Sequence, residues 1–141
     1  MTNPTTTETV APETIAPETA PDIAAVVDAY FAMWNEDDPA RRAELIASAW
    51  GNDGAYIDPL QEAEGSEALS AMVDTVHQHY PGQLFRRTTA IDSHHDHHRF
   101  GWQLGEGEDL VVAGLDVAHV GPDGRLTRIT GFFGPLAETD G

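Results

Sequence analysis

Apolar positions early in the chain recur with helical spacing: Ile23, Val26, Val27, Tyr30, Phe31 and Trp34 fall on one stripe, and Asp22 precedes them as a plausible cap. This predicts an amphipathic helix. Asp38 followed by Pro39 reads as the cap and first position of a second helix, which buries Leu45, Ile46, Ala49 and Trp50 and ends at Gly51 to Gly54. Ala55 to Asp58 then suggests a short strand stopped by Pro59. Ser66 opens a third helix with Leu69, Met72, Val73, Val76, His77 and Tyr80 on one face, closed by Pro81-Gly82.

Beyond Gln83 the period changes to that of strands, over Leu84 to Asp92, His98 to Leu104, Leu110 to Val120 and Leu126 to Phe133. Turn chemistry separates them, most clearly Gly105-Glu106-Gly107-Glu108 and Gly121-Pro122-Asp123-Gly124. Three helices followed by a run of antiparallel strands predict an α+β fold with the helices packed on one face of a curved sheet. Residues 1–21 are different in kind. They are Thr, Pro, Glu and Ala with a repeated Ala-Pro-Glu-Thr and almost nothing to bury, so they are expected to be a disordered acidic tail, leaving 22–141 as the single domain.

Charge narrows the function classes. With 24 acidic side chains against 7 Lys plus Arg, the formal net charge is −17, which argues against nucleic acid or an anionic membrane surface as partner. Cysteine is absent, removing thiol nucleophiles, thiolate metal sites and disulfides. No apolar run is long enough to span a membrane and no signal-peptide pattern opens the chain, so a cytoplasmic location is the expectation.

Three polar side chains stand where the pattern calls for apolar ones. Tyr30 lies on the first helix's stripe, Asp58 shares a strand face with Tyr56, and Asp116 interrupts Leu110 to Val120. A buried carboxylate is costly unless paired or protonated, so two at such positions suggest a lined pocket. A purely structural role is the alternative, with Asp58 capping the turn at Pro59 and Asp116 bonding a neighbouring strand end.

The order helix, helix, Tyr56-Ile57-Asp58-Pro59, Glu64-Gly65-Ser66-Glu67-Ala68-Leu69, helix and strands, with the Asp123-Gly124-Arg125-Leu126 hairpin, resembles the nuclear transport factor 2-like superfamily in its SnoaL-like branch of small bacterial proteins. The likeness runs from Asp22 to about Leu136. It implies a cone-shaped fold in which three N-terminal helices pack on a strongly curved antiparallel sheet enclosing one pocket, and a homodimer through the outer sheet face. That fold hosts isomerases, cyclases, dehydratases, epoxide hydrolases and proteins without catalysis.

Ketosteroid isomerases of the superfamily take their general base from an Asp-Pro step in the first strand, which Asp58 matches. Their oxyanion hole uses a tyrosine of the first helix, which Tyr30 resembles, and a strand aspartate shortly before a Gly-Arg turn, matched by Asp116 eight residues ahead of Gly124. The sequence departs from them in a few extra residues around Pro39 to Ala43 and in His98 at an apolar pocket position. SnoaL-type polyketide cyclases are similar as well, and their strand aspartate would correspond to Asp116 acting alone. The Arg-x-Asp pair of limonene-type epoxide hydrolases is missing, since Phe100-Gly101 follows Arg99.

Strand alternation puts His98, Phe100, Trp102 and Leu104 on one face, which the family likeness turns inward; Phe133 closes the back, and Trp34, Trp50 and Tyr56 complete the expected substrate pocket. The run Ser93-His94-His95-Asp96-His97-His98-Arg99 contains metal-ligand types, yet it falls at the expected turn between two strands. It is therefore taken as an exposed turn, with only His98 inward, and neither a metal nor a cofactor is expected. The expected function is a cofactor-independent acid/base enzyme, of isomerase or lyase type, on a small and mostly apolar carbonyl compound. Asp58 would be the base, with Tyr30 and Asp116 as oxyanion donors. A SnoaL-type polyketide cyclase and a non-catalytic binder of a small hydrophobic ligand are the alternatives.

Overall fold

The computed structural model describes residues 22–139, so the expected tail lies outside the described residues. Three helices, α1 (Ile23–Asn35), α2 (Pro39–Ala49) and α3 (Ser66–His79), alternate with and then precede seven strands: β1 (Trp50–Ile57), β2 (Glu62–Glu64), β3 (Phe85–Arg87), β4 (Asp92–His94), β5 (His97–Leu104), β6 (Val112–Val120) and β7 (Leu126–Phe133). None of these helices is long and apolar enough to cross a membrane.

Capping follows the sequence. The Asp22 carboxylate accepts from the Ala25 N–H at 2.9 Å, and Asp38 accepts from Arg41 N–H ahead of Pro39. The α1 stripe buries Val26, Val27, Tyr30, Phe31 and Trp34 as predicted, and adds Met33. Its aromatic rings meet those of the sheet edge-on: Phe31 lies 5.6 Å from Phe100 and Trp34 lies 5.5 Å from Tyr56, centroid to centroid.

The strands form one sheet in the order β2-β1-β7-β6-β5-β3, with β4 added to β5. Five of its pairings are antiparallel, but β1 and β7 run parallel, so the sheet is mixed rather than antiparallel throughout. A parallel neighbour requires a long crossover, and everything from β2 to β6 serves as that crossover here. The helices cover one face of an open, curved sheet, giving a cone-shaped α+β fold.

Four local expectations are corrected. Trp50 opens β1 instead of closing α2, and Gly51 to Gly54 lies inside the strand instead of breaking the chain. A bulge between Trp50 and Ala55, with Asp53 at φ 60°, absorbs those residues, and Gly54 is needed because a Cβ there would sit 2.4 Å from the Trp50 ring. The run Leu84 to Asp92 splits into β3 and β4: the Thr89 hydroxyl takes the Gly101 N–H at 2.8 Å, a slot that a ladder carbonyl would otherwise fill. The strand expected from Leu110 starts at Val112, after a single 3-10 turn over Gly107–Asp109. Glu62–Glu64, with no apolar alternation, pairs with β1 as an edge strand that the pattern does not announce.

Arg42 carries no apolar signal yet is fully buried. Its guanidinium donates to the carbonyls of Glu36, Asp37 and Ser70, to the Ser70 hydroxyl and to Asp74 Oδ1 at 2.9 Å. It thereby ties the α1–α2 connection to α3, with its charge paired and its donors used.

Candidate active site

A cleft of about 220 Å³ opens between the C-terminal half of α3, the Pro59–Gln61 loop and the ends of β5, β6 and β7. Of the residues expected in the pocket, Trp34, Tyr56, Trp102 and Phe133 line it, together with Asp58. Phe85, Val76, Tyr80, Leu104 and Val112 add to the walls. Leu104 lines it from the inward strand face that alternation gave it with Trp102, and Val76 and Tyr80 could have been found from the helix face they share with Met72. Phe85 is held in place by a pair of hydrogen bonds between its backbone and the Asn35 side chain at 2.8 and 2.9 Å, a link across 50 positions that no local pattern signals.

The other expected pocket residues lie elsewhere. Phe100 and Trp50 are core, packed 6.2 and 6.0 Å from the Tyr30 ring. His98 is buried but sits away from the cleft with its Nδ1 2.7 Å from the Ser93 hydroxyl; burial lowers its pKa, with Asp96 opposing. A second depression, of about 290 Å³, is lined by Asp92, His94, His97, His98, Arg99 and Val117. Five of its six lining residues are polar and it lacks the aliphatic walls of the cleft, so the chemistry is sought in the cleft.

Asp58 follows β1 at the cleft wall. Its Oδ1 accepts from the backbone N–H groups of Leu60 at 2.8 Å and Gln61 at 3.1 Å, and its Oδ2 accepts from the Tyr56 hydroxyl at 2.6 Å. The turn-capping role foreseen for it is therefore present together with a place in the cleft. It is the only carboxylate among the lining residues.

Asp116 is paired across the sheet with Phe100 on β5 and Gly131 on β7, and is 3% exposed. The Tyr30 hydroxyl donates to its Oδ2 at 2.7 Å, while Oδ1 has no hydrogen-bond partner among the described residues. Burial pushes the Asp116 carboxyl up to about 7; the Tyr30 hydroxyl and the nearby Trp102 indole N–H, which falls short of a hydrogen bond, pull it back, and the Asp58 charge adds to the rise. Burial and the neighbouring carboxylates likewise raise both tyrosine hydroxyls, Tyr30 and Tyr56, well above their ordinary value. Tyr30 and Asp116 do not line the cleft themselves; Tyr56 and Trp102 stand between.

Gly131 makes this arrangement possible. A Cβ there would lie 2.9 Å from Asp116 Oδ1, 3.3 Å from Asp58 Cβ and 3.4 Å from the Tyr56 hydroxyl, so the Asp116 carboxylate, the base of the Asp58 side chain and the Tyr56 hydroxyl share the space over a residue without a side chain.

The histidine run forms a two-residue turn at His95 and Asp96, with His95 at φ 53°. His94 and His97 stack at 5.5 Å and His97 meets His119 at 4.3 Å, centroid to centroid. Among the described residues, no group of three or more His, Asp or Glu is placed to hold a metal ion.

No protein-family model matches the chain, and no curated protein matches it. Solved structures do. A SnoaL-like family protein from Agrobacterium tumefaciens, whose isomerase activity is inferred, is 33% identical, with 79% of this chain and 97% of that one covered and a TM-score of 0.72. An NTF2-like protein from an Exiguobacterium species is 19% identical over 79% of this chain and 99% of its own, with a TM-score of 0.63. A protein with a ketosteroid isomerase-like fold from Catenulispora acidiphila is 17% identical over 80% and 85%, at 0.62. These two share the fold; the likeness to the Agrobacterium protein extends to sequence over nearly all of its length. With its three helices on a curved mixed sheet, this chain belongs to the SnoaL-like family of the NTF2-like superfamily.

Proposed function

We propose that the chain is an acid/base enzyme that works without a cofactor, abstracting a proton next to the carbonyl of a small, mostly apolar compound in the manner of a ketosteroid isomerase. The observation that carries this reading is a single carboxylate, Asp58, on the wall of a cleft built mostly of aromatic and aliphatic side chains, with a second, buried carboxyl, Asp116, behind it. Asp58 serves as base. The Tyr30–Asp116 pair supplies the donors that stabilise the enolate oxygen, reached once substrate displaces the Trp102 side chain in front of it while Tyr56 stays on Asp58. The family's inferred isomerase supports the reaction class. A homodimer through the sheet face opposite the helices, where Phe132 is exposed, is part of the same proposal.

A specific observation favours a second reading. A carboxyl titrating near 7 suits an acid/base group that acts alone, as a polyketide cyclase of this family would use Asp116. The test is deuterium exchange, followed by proton NMR, at the carbon next to the carbonyl in a panel of cyclic ketones. Asp58→Asn should abolish exchange, whereas Asp116→Asn should keep much of the rate that Asp116→Ala loses. Losing an oxyanion donor outright costs on the order of 100-fold. If Asp116→Asn is as inactive as Asp58→Asn, the cyclase reading replaces this one. If no ketone exchanges and an unchanged apolar molecule co-purifies by mass spectrometry, the protein is a binder.

A further inference from the structure

Tyr56 belongs to neither the base nor the oxyanion pair, yet its hydroxyl stands between the two carboxylates. It donates to Asp58 Oδ2 at 2.6 Å and faces the space over Gly131 onto which Asp116 Oδ1 also opens. The ring is 4% exposed, so this placement is held by packing, including the edge of Trp34 at 5.5 Å.

We propose that Tyr56 is a positioning residue that fixes Asp58 as the anionic member, and Asp116 as the proton-bearing member, of a pair of aspartates that flank Gly131. This deepens the reading of Asp58 as the cleft-side base, on which its catalytic meaning rests. The hydrogen bonds assign the roles. Asp58 accepts three donors, two backbone N–H groups and the Tyr56 hydroxyl, and each favours the ionised carboxylate. Asp116 receives one donor, from Tyr30, and is shut away from water, which favours the neutral acid. Two charges across a glycine repel, so ionising one member holds the proton on the other.

The groups facing this pair are few. Tyr30 approaches from α1 and Tyr56 from β1, Phe100 and Trp102 come from β5, and Gly131 from β7; the titratable ones among them are the two tyrosines. Of the roughly four acceptor sites of the Asp58 carboxylate, three are taken, which leaves the remaining one on Oδ2 as the basic site. Tyr56 thus selects the residue that takes the proton, while the backbone N–H groups of Leu60 and Gln61 on Oδ1 leave Oδ2 as the receiving oxygen.

Carbon-detected NMR of the aspartate side-chain carboxyls across a pH series, on the full chain, tests this without any substrate. In the wild type one carboxyl carbon should titrate near neutral pH and vanish in Asp116→Asn, while the Asp58 carbon keeps its carboxylate shift through that range. In Tyr56→Phe the neutral step should spread onto both carbons, since Asp58 has lost one of the donors that held it ionised. A step that stays on Asp116 alone in Tyr56→Phe overturns the role of Tyr56. Should that variant not fold, the wild-type series still decides, because a neutral step on the Asp58 carbon overturns the proposal. Expected titrations without ketone exchange would leave the proposal standing and remove the isomerase reading.

Discussion

The Tyr30 hydroxyl donates a 2.7 Å hydrogen bond to Asp116 Oδ2, joining α1 to β6 across 86 positions of sequence. Both groups are buried, so neither can turn to water if the other is removed. Tyr30→Phe should therefore lower unfolding stability by about 1–3 kcal/mol, the usual penalty for a buried acceptor left unsatisfied. It should also move the Asp116 titration further up, because the hydroxyl is what pulls it down. Denaturant unfolding reads the first effect and carboxyl NMR the second.

Asp116 makes stability depend on pH with a defined sign. Its native value of about 7 lies above the ordinary 3.8, so the native state holds a proton that the unfolded chain has already released. The resulting stabilisation is complete below about pH 4 and is lost as pH rises to about 7, where it levels off, amounting to a few kcal/mol in order of magnitude. Asp116→Asn removes this dependence. Its melting temperature relative to wild type should rise steadily from pH 4 to pH 7.5, and a constant difference would show that Asp116 ionises normally.

Gly131→Ala should be poorly tolerated. The added methyl would meet Asp116 Oδ1 at 2.9 Å and press on Asp58, forcing strand β7 or the carboxylates to shift. A loss of about 1–3 kcal/mol is expected from overpacking, measured by urea unfolding. In contrast, the methyl of Gly121→Ala would meet the Thr127 methyl at 3.1 Å and Asp123 Oδ1 at an ordinary 3.6 Å, and should cost less.

Arg42→Met keeps the length and apolar stem but leaves the carbonyls of Glu36, Asp37 and Ser70 without their donor. The expected loss is about 3–5 kcal/mol, as for other buried charges whose network is broken. Arg42→Lys should recover only part of it, since an ammonium cannot reach these acceptors with a planar fork. Thermal unfolding of both variants provides the comparison.

What the sequence made legible follows from how local each signal is. The α1 stripe and the Asp22 and Asp38 caps depend on neighbours within one turn, and they stand in the structure where the spacing put them. Tyr30, Asp58 and Asp116 were visible as polar groups at apolar positions, although nothing local could tell that Tyr30 would bond Asp116 while Tyr56 took Asp58. Arg42 was hidden because its partners are mostly backbone carbonyls, which every residue possesses. The start of β1 was missed because four residues that read as a turn, two of them glycines, form a bulge once the strand has Leu126 and Arg128 to pair with. Phe100 and Trp50 were placed in the pocket by alternation and by helical spacing, but neither signal distinguishes a wall from the core behind it.

The parallel pairing of β1 with β7 also governs the order in which the protein can be completed during synthesis. Strand β1 emerges from the ribosome long before its partner, and only β2 is available to it until Leu126–Phe133 follows. Gly131, the floor between the two aspartates, arrives with that final strand. A nascent chain halted after β6 would carry Tyr30, Asp58 and Asp116 yet lack the strand that sets Asp58 opposite Asp116, so the paired site comes into being only when the last long-range closure is made.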